Sequence, residues 1–447
     1  MFTYVKLKNF LSFGEITFDL KKTAHSAKNF VAIYGENGSG KSNFVRAFDL
    51  LLHTITSFNH ASRVEKIKSA LLEDKDAPPT DILEKVFADA DITTYIASCR
   101  TIDCGDATEI EYGFLLNDIE GFYKLSFANN FTSESLYYLA GKQRGYLYDI
   151  SQDAKGQINQ KFWSGLFLTD KEKEEAQEEI SKYWGKHTFL SIIFKQINER
   201  NYSYIEKSIS KNLLDVFDML MDTTVISKQS NRKNTIFASG KPYNLLTNLK
   251  SGEIAQDELP FLERSERILR DFFTQTYADI KDVYYKREYL EDGIKYQLFV
   301  DKMISGKIRH VNFDNESAGT QQILDIVKML LGLFCGVTVV YDEIDTGIHD
   351  LLLNNIISSL IGEISGQLII TTHNTMLLEV IDTKSAYVIR TDYLGNKEVK
   401  CFDEFSLQNT NNARNKYLKG LFGGTPFVDI IDYDAIVEEI EGSKEAK

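Results

Sequence analysis

The chain has 447 residues, of which 43% are hydrophobic and 26% charged, with a formal net charge of −14. This composition excludes a disordered chain and allows more than one domain-sized lobe. The acidic balance brings no bulk attraction to a phosphate backbone, so net charge does not point to nucleic acid, and any such contact would need a local basic surface.

The first residues lack a basic region followed by a long apolar run, so no signal peptide is expected. The longest apolar stretch, residues 329–340, is too short to cross a bilayer and is flanked by Lys328 and Asp342. A soluble cytoplasmic protein with no membrane partner is expected. The four cysteines, Cys99, Cys104, Cys335 and Cys401, form no metal-binding set in the sequence and read as reduced thiols.

In chain order, residues 2–7 and 16–20 read as two strands joined by a turn. Residues 30–34 form an apolar strand that runs into glycines, and Phe44, Ala47, Phe48 and Leu51 then repeat at helical spacing. Residues 109–114 and 121–127 read as strands paired across a turn. From about 151 to 280 the pattern is mostly helical, with a charged face at 171–176 and an apolar stripe of Leu213, Leu214, Phe217 and Leu220. A polar stretch at 227–241 carries Lys228, Arg232, Lys233 and Lys241, which reads as a solvated loop because no aromatic platform interleaves with the cations. Strands return at 283–285 and 296–300 around an Asp292-Gly293 turn. A helix near Ser317, a strand to Tyr341, a helix to about 361 and a strand at 367–371 complete the pattern. Strands alternating with helices at both ends imply one largely parallel sheet.

The most specific signal is Gly35-Glu36-Asn37-Gly38-Ser39-Gly40-Lys41-Ser42, set between a strand and a helix. It matches the phosphate-binding P-loop, G-x-x-x-x-G-K-[ST]. Glycines let the backbone curl so that successive N–H groups face phosphate oxygens, and the helix N-terminus adds partial positive charge. Lys41 is expected to reach the β- and γ-phosphates of ATP and Ser42 to ligate Mg²⁺. The second signal is an apolar strand ending in Asp342-Glu343, a Walker B element. Asp342 is expected to hold Mg²⁺ through its water shell and Glu343 to polarise the attacking water.

The third signal is Ser317-Ala318-Gly319, upstream of Asp342 and opening a helix. Alone it reads as an ordinary N-cap. In this position it resembles the signature turn of ABC-type ATPases of the SMC, RecF and OLD lineage, with Ala318 in place of the usual glycine. The resemblance implies that this turn contacts the γ-phosphate held by a second subunit. It also implies that Ile344-Asp345-Thr346-Gly347-Ile348-His349 is the D-loop, which crosses the dimer interface with Asp345 at the composite site, and that His373 is the switch histidine. The residues 4–13 resemble the first strand of RecF-like heads. Residues 414–427 resemble a tail of bacterial ATPases found in phage-defence pairs of the AbiL and PARIS types, in which a second protein, often a Toprim-type nuclease, is the effector. A Q-loop glutamine is not assigned; Gln143, Gln157 and Gln160 are candidates.

The resulting expectation is an α/β P-loop head with a mixed sheet and an inserted helical arm. Residues 1–150 would form the Walker A lobe, 151–280 the arm, 281–390 the lobe with the remaining motifs, and 391–447 a tail. The catalytic set is Lys41, Glu343 and His373. The chain would hydrolyse ATP with Mg²⁺ by closing as a homodimer or higher homo-oligomer, as the sensor of an anti-phage system controlling a nuclease or toxin encoded nearby. The alternatives are a DNA-repair or chromosome-handling ATPase and an ATP-binding scaffold with negligible turnover.

Overall fold

The computed structural model describes residues 1–73, 91–153, 155–227, 246, 248–405, 412–425 and 432–445. The Lys228, Arg232, Lys233 and Lys241 cluster lies outside these residues, as do Pro426 and Phe427 of the tail. The fold is α/β with a P-loop and several sheets. Its centre is a six-stranded sheet in the order Thr223–Ile226, Thr338–Tyr341, Gln367–Thr371, Phe30–Gly35, Ala386–Thr391, Lys397–Cys401. The first five strands are parallel and the last is antiparallel.

This sheet is apolar on both faces, as a parallel sheet covered on both sides must be. Successive side chains alternate between two separate cores. Val31, Ile33, Val340 and Ile369 face one, whereas Phe30, Ala32, Tyr34, Val339, Tyr341, Leu368 and Ile370 face the other. A one-residue slip would exchange the two sets, so the register of the strands that carry the motifs is fixed by both cores at once.

Where alternation implied one largely parallel sheet, the described residues build further sheets. Seven antiparallel strands run in the order Ile158–Phe162, Gln143–Gln152, Phe131–Ala140, Ile119–Phe127, Thr108–Leu116, Phe2–Phe10, Phe13–Asp19. The helix Lys41–Glu73 packs between this sheet and the parallel one. Its Phe44 and Phe48 stand on the strand residues Phe2 and Phe18, with Phe2 and Phe48 edge to face at 5.0 Å. The buried amide of Gln367 joins the two sheets. It accepts from Phe2 N at 2.8 Å and donates to Phe2 O and Lys28 O, both at 2.9 Å. A third, antiparallel sheet is centred on Ile294–Ile304, paired with Ser251–Ile254, Ile280–Tyr289 and Lys307–Asn312. The stretch read as helical holds Asp170–Tyr183, Phe189–Arg200, Lys211–Met221 and Leu259–Thr276, and also the strand Thr223–Ile226 that joins the central sheet. No helix among the described residues is long and apolar enough to cross a membrane.

Two buried polar clusters lock the helices, one to the antiparallel sheet and one to the helix Lys41–Glu73. Glu134 is fully buried and accepts from Tyr123, Tyr148, the Trp184 indole and the backbone N–H groups of Phe189 and Leu190 at the start of a helix. His187 is 6% exposed, with Nδ1 3.0 Å from the Ser57 hydroxyl and its ring against Phe58. Burial, aided by the neighbouring Lys186 charge, pushes the His187 ring from its ordinary 6.5 down to about 4. The unfolded chain therefore takes up this proton before the folded one does. The stability His187 contributes is whole above about pH 6.5 and is lost as pH falls toward 4, to a limit of about 3 kcal/mol. We expect urea unfolding at pH 7, 5.5 and 4.5 to show a shallower acid-side loss for His187→Gln than for the wild type. Equal losses would contradict the assignment.

Candidate functional site

Three strands of the parallel sheet deliver their carboxyl ends to one edge, where ligands of open α/β sheets bind. Phe30–Gly35 is buried throughout and leads into the loop, and the helix begins at Lys41. Glycine is required for the curl at Gly38, with φ 80°, and at Gly40, with φ 109°. A side chain at Gly40 would also stand 2.7 Å from the Phe13 ring, and one at Gly35 would stand 2.5 Å from Ser39 Oγ. Glu36 is half-exposed and Asn37 exposed at the loop's outer side. The Ser39 hydroxyl is inside, 1% exposed and without a hydrogen-bond partner. A buried donor of this kind, on a backbone that only glycine can close, fits an anion.

Lys41 is buried, and its Nζ donates to Gly35 O at 2.9 Å and Glu36 O at 3.0 Å. Burial lowers its proton affinity, and the carboxylates of Asp342, Glu343, Asp345 and Glu36 oppose that shift. The predicted catalytic and metal-binding side chains therefore share one field. Asp342 is 8% exposed. Burial pushes its carboxyl up, while hydrogen bonds from Thr371 and Ser42 pull it down. Ser42 and Asp342 thus meet, as a shared Mg²⁺ would require. No group of three or more metal-binding acids, histidines or cysteines occurs among the described residues. Two oxygen donors are nevertheless the kind of protein ligation Mg²⁺ uses when phosphates and water fill its other positions.

Glu343 follows in a left-handed conformation, φ 50°, which is costly for a residue with a side chain. Thr371 holds it there. The Thr371 hydroxyl donates to Asp342 Oδ1 at 2.6 Å and accepts from Glu343 N at 2.8 Å. The Thr346 hydroxyl lies 3.4 Å from Glu343 Oε2. Asp345 accepts from His373 N at 3.3 Å. Desolvation, and then the Lys41 charge, push the His373 ring below its ordinary value, against Asp345, Glu343 and Asp342. His373 therefore lies on the same side of the loop as the acids.

Ser317 caps the helix Ala318–Phe334, accepting from Thr320 N at 3.2 Å. Ser317 and Ala318 are exposed and Gly319 is half-exposed, so this turn faces outward. Gly319 packs on the turn after Glu343, and a side chain there would stand 2.6 Å from Gly347 O. Gln143, Gln157 and Gln160 lie on or beside the last two strands of the antiparallel sheet, where the Gln160 amide donates toward Ser181.

Several contacts at the loop have no motif behind them. Thr371 reads in sequence only as the end of an apolar strand; pairing of Tyr341 with Ile370 brings it beside Asp342. Lys397, Ser12 and Asn43 gather on the other flank of the loop. The tail packs beneath: a side chain at Gly424 would stand 3.3 Å from Gly35 Cα, and Tyr417 stacks on Phe402.

No protein-family model matches the chain, and no curated protein matches it. Among solved structures it is similar to an Smc head bound to the C-winged helix domain of ScpA, at 13% identity over 89% of this chain and 96% of that one, TM-score 0.43. It is similar to the SMC head domain from Thermotoga maritima at 14% identity over 90% and 98%, TM-score 0.38. It is also similar to the Smc head domain with an extended coiled coil bound to the C-terminal domain of ScpA from Pyrococcus furiosus, at 13% identity over 94% and 99%, TM-score 0.41.

The Gly319–Gly347 approach makes a specific prediction. Alanine in a helix normally outperforms glycine by up to about 1 kcal/mol. Here Gly319→Ala should instead destabilise by about 1–3 kcal/mol, because the serine turn and the 343–347 turn must part. A denaturant midpoint equal to or above that of the wild type would refute the contact.

Proposed function

We propose that the chain is an Mg²⁺-dependent ATPase whose two active sites close between paired copies. The reading is carried by one observation: Lys41, Ser42, Asp342 and Glu343 converge at one sheet edge, on a loop that only glycine can close. The reaction is in-line attack of water on the γ-phosphorus. A new P–O bond forms, the bond to the β–γ bridging oxygen breaks, and ADP and phosphate leave. Lys41 and the loop amides neutralise charge that builds on the phosphate oxygens. Glu343 orients the attacking water from its fixed backbone. Ser42 and Asp342 would hold Mg²⁺, which supplies further neutralisation of the β- and γ-oxygens.

The outward-facing Ser317-Ala318-Gly319 turn, at the N-terminal end of the helix Ala318–Phe334, suits an anion presented by a second copy. Asp345, bonded to His373 N, belongs to the same 343–347 turn on which Gly319 packs. A single copy then lacks part of the γ-phosphate's surroundings and turns over slowly. In this reading ATP acts as a clasp that hydrolysis opens. The resemblance of residues 414–427 to the tail of defence-associated ATPases supports control of an effector, a nuclease or toxin, by that clasp.

Lys41→Ala should weaken ATP binding about 100-fold by removing a charge-assisted phosphate contact. Glu343→Gln should lower kcat by at least about 100-fold while ATP is still bound, leaving a stable closed pair. Calorimetry, steady-state turnover and light scattering with ATP measure these outcomes. Wild-type turnover by Glu343→Gln would refute the assignment. Negligible turnover by the wild-type pair would reduce the function to an ATP-dependent scaffold, and stimulation by duplex DNA would favour chromosome handling.

A further inference from the structure

A second cation stands at the phosphate loop, on the flank away from the acids. Lys397 opens the last strand of the central sheet, and its Nζ lies 2.7 Å from Gly38 O and 2.7 Å from Ser12 Oγ. Asn43 Nδ2 lies 2.6 Å from the same hydroxyl. Nζ is 5.8 Å from the centre of the Phe13 ring, the ring that fills the space a side chain at Gly40 would need. Lys397 is half-buried, and among the described residues it makes no ion pair with a carboxylate. Its ammonium is held by a carbonyl and a hydroxyl, with the Glu36 carboxylate acting on it without forming an ion pair. The Ser39 hydroxyl, buried and without a partner, faces the same loop.

The two lysines divide the loop. Lys41 sits in the field of Asp342, Glu343 and Asp345, the acids placed at the terminal phosphate, with Glu36 behind it. Burial lowers the proton affinity of Lys397, and among the described residues Glu36 is the carboxylate that opposes it. Asn43 is one residue beyond Ser42, where the helix turns from the metal side toward the strand Phe13–Asp19.

We propose that Lys397 is a further nucleotide-binding residue, contacting the nucleoside-proximal phosphate of a nucleoside di- or triphosphate while Ser12 and Asn43 position its ammonium. This rests on the nucleotide reading above and adds a second cation with a different role. A contact to the terminal phosphate discriminates ATP from ADP. A contact to the nucleoside-proximal phosphate weakens both alike when it is lost.

The test is calorimetric titration of the full chain with ADP and with ATP. Lys397→Met should weaken both nucleotides by the same factor, about 10-fold, whereas Lys397→Arg should stay near wild type. Lys397→Gln retains a donor for the Gly38 carbonyl but no charge, and should bind as weakly as Lys397→Met. Wild-type affinity of Lys397→Gln would assign Lys397 to bracing the loop and overturn the proposal, as would weakening confined to ATP. Lys41→Ala run in parallel separates the two readings: if it too binds ATP normally, the nucleotide site itself is wrong; if it alone loses ATP, only the Lys397 contact is wrong. Circular dichroism of each variant establishes that the fold is retained.

Discussion

Everything at the site depends on the backbone between Gly35 and Lys41 reversing direction within a few residues at the end of a fully buried strand. Side chains are excluded twice over, by positive φ at Gly38 and Gly40 and by the Phe13 ring and Ser39 packed against the curl. The curl sets where the helix starts, and the helix start sets where Lys41 and Ser42 lie. Its partner constraint lies two strands away, just past Thr338–Tyr341, where Glu343 adopts a conformation that alone would cost about 1–2 kcal/mol. Thr371, bonded both to its amide and to Asp342, holds that conformation. Strain is thus concentrated at Glu343, the residue proposed to orient water, and it is held by Thr371, which has no part in the proposed chemistry.

The rest of the molecule keeps this edge rigid. Two cores grip opposite faces of the parallel sheet, and the Gln367 amide fixes the antiparallel sheet to it. The long helix behind the loop packs its aromatic face into that antiparallel sheet. The tail supports the loop from below, with Gly424 against Gly35 and Tyr417 beside Tyr34 and Phe402. A disturbance of the tail therefore has a short physical route to the glycine loop. The serine turn, by contrast, approaches the 343–347 turn at Gly319 and Gly347, while Ser317 and Ala318 are exposed.

Much of this was legible because the strongest signals are local. The glycine loop lies between a strand and a helix as read, the hairpin of Thr108–Leu116 and Ile119–Phe127 follows its alternation, and the Asp292-Gly293 turn joins its two strands. What escaped depends on contacts between residues far apart in the chain. Thr223–Ile226 is four residues long and buried throughout, and only its partner Thr338–Tyr341 marks it as a strand. Thr371 gains its role from the neighbouring strand's register. Lys397 reaches Gly38 across 359 positions, and no periodicity announces such a contact.

The central claim is that loop and serine turn act across two copies. Its most direct measurement is ATP turnover of mixed variants. Lys41→Ala spoils the loop and keeps the turn; Ser317→Arg spoils the turn and keeps the loop. Each alone should be inactive, and an equimolar mixture should recover about a quarter of wild-type activity, since half the pairs are mixed and each mixed pair holds one intact site. A mixture no more active than the two variants measured separately would contradict the account.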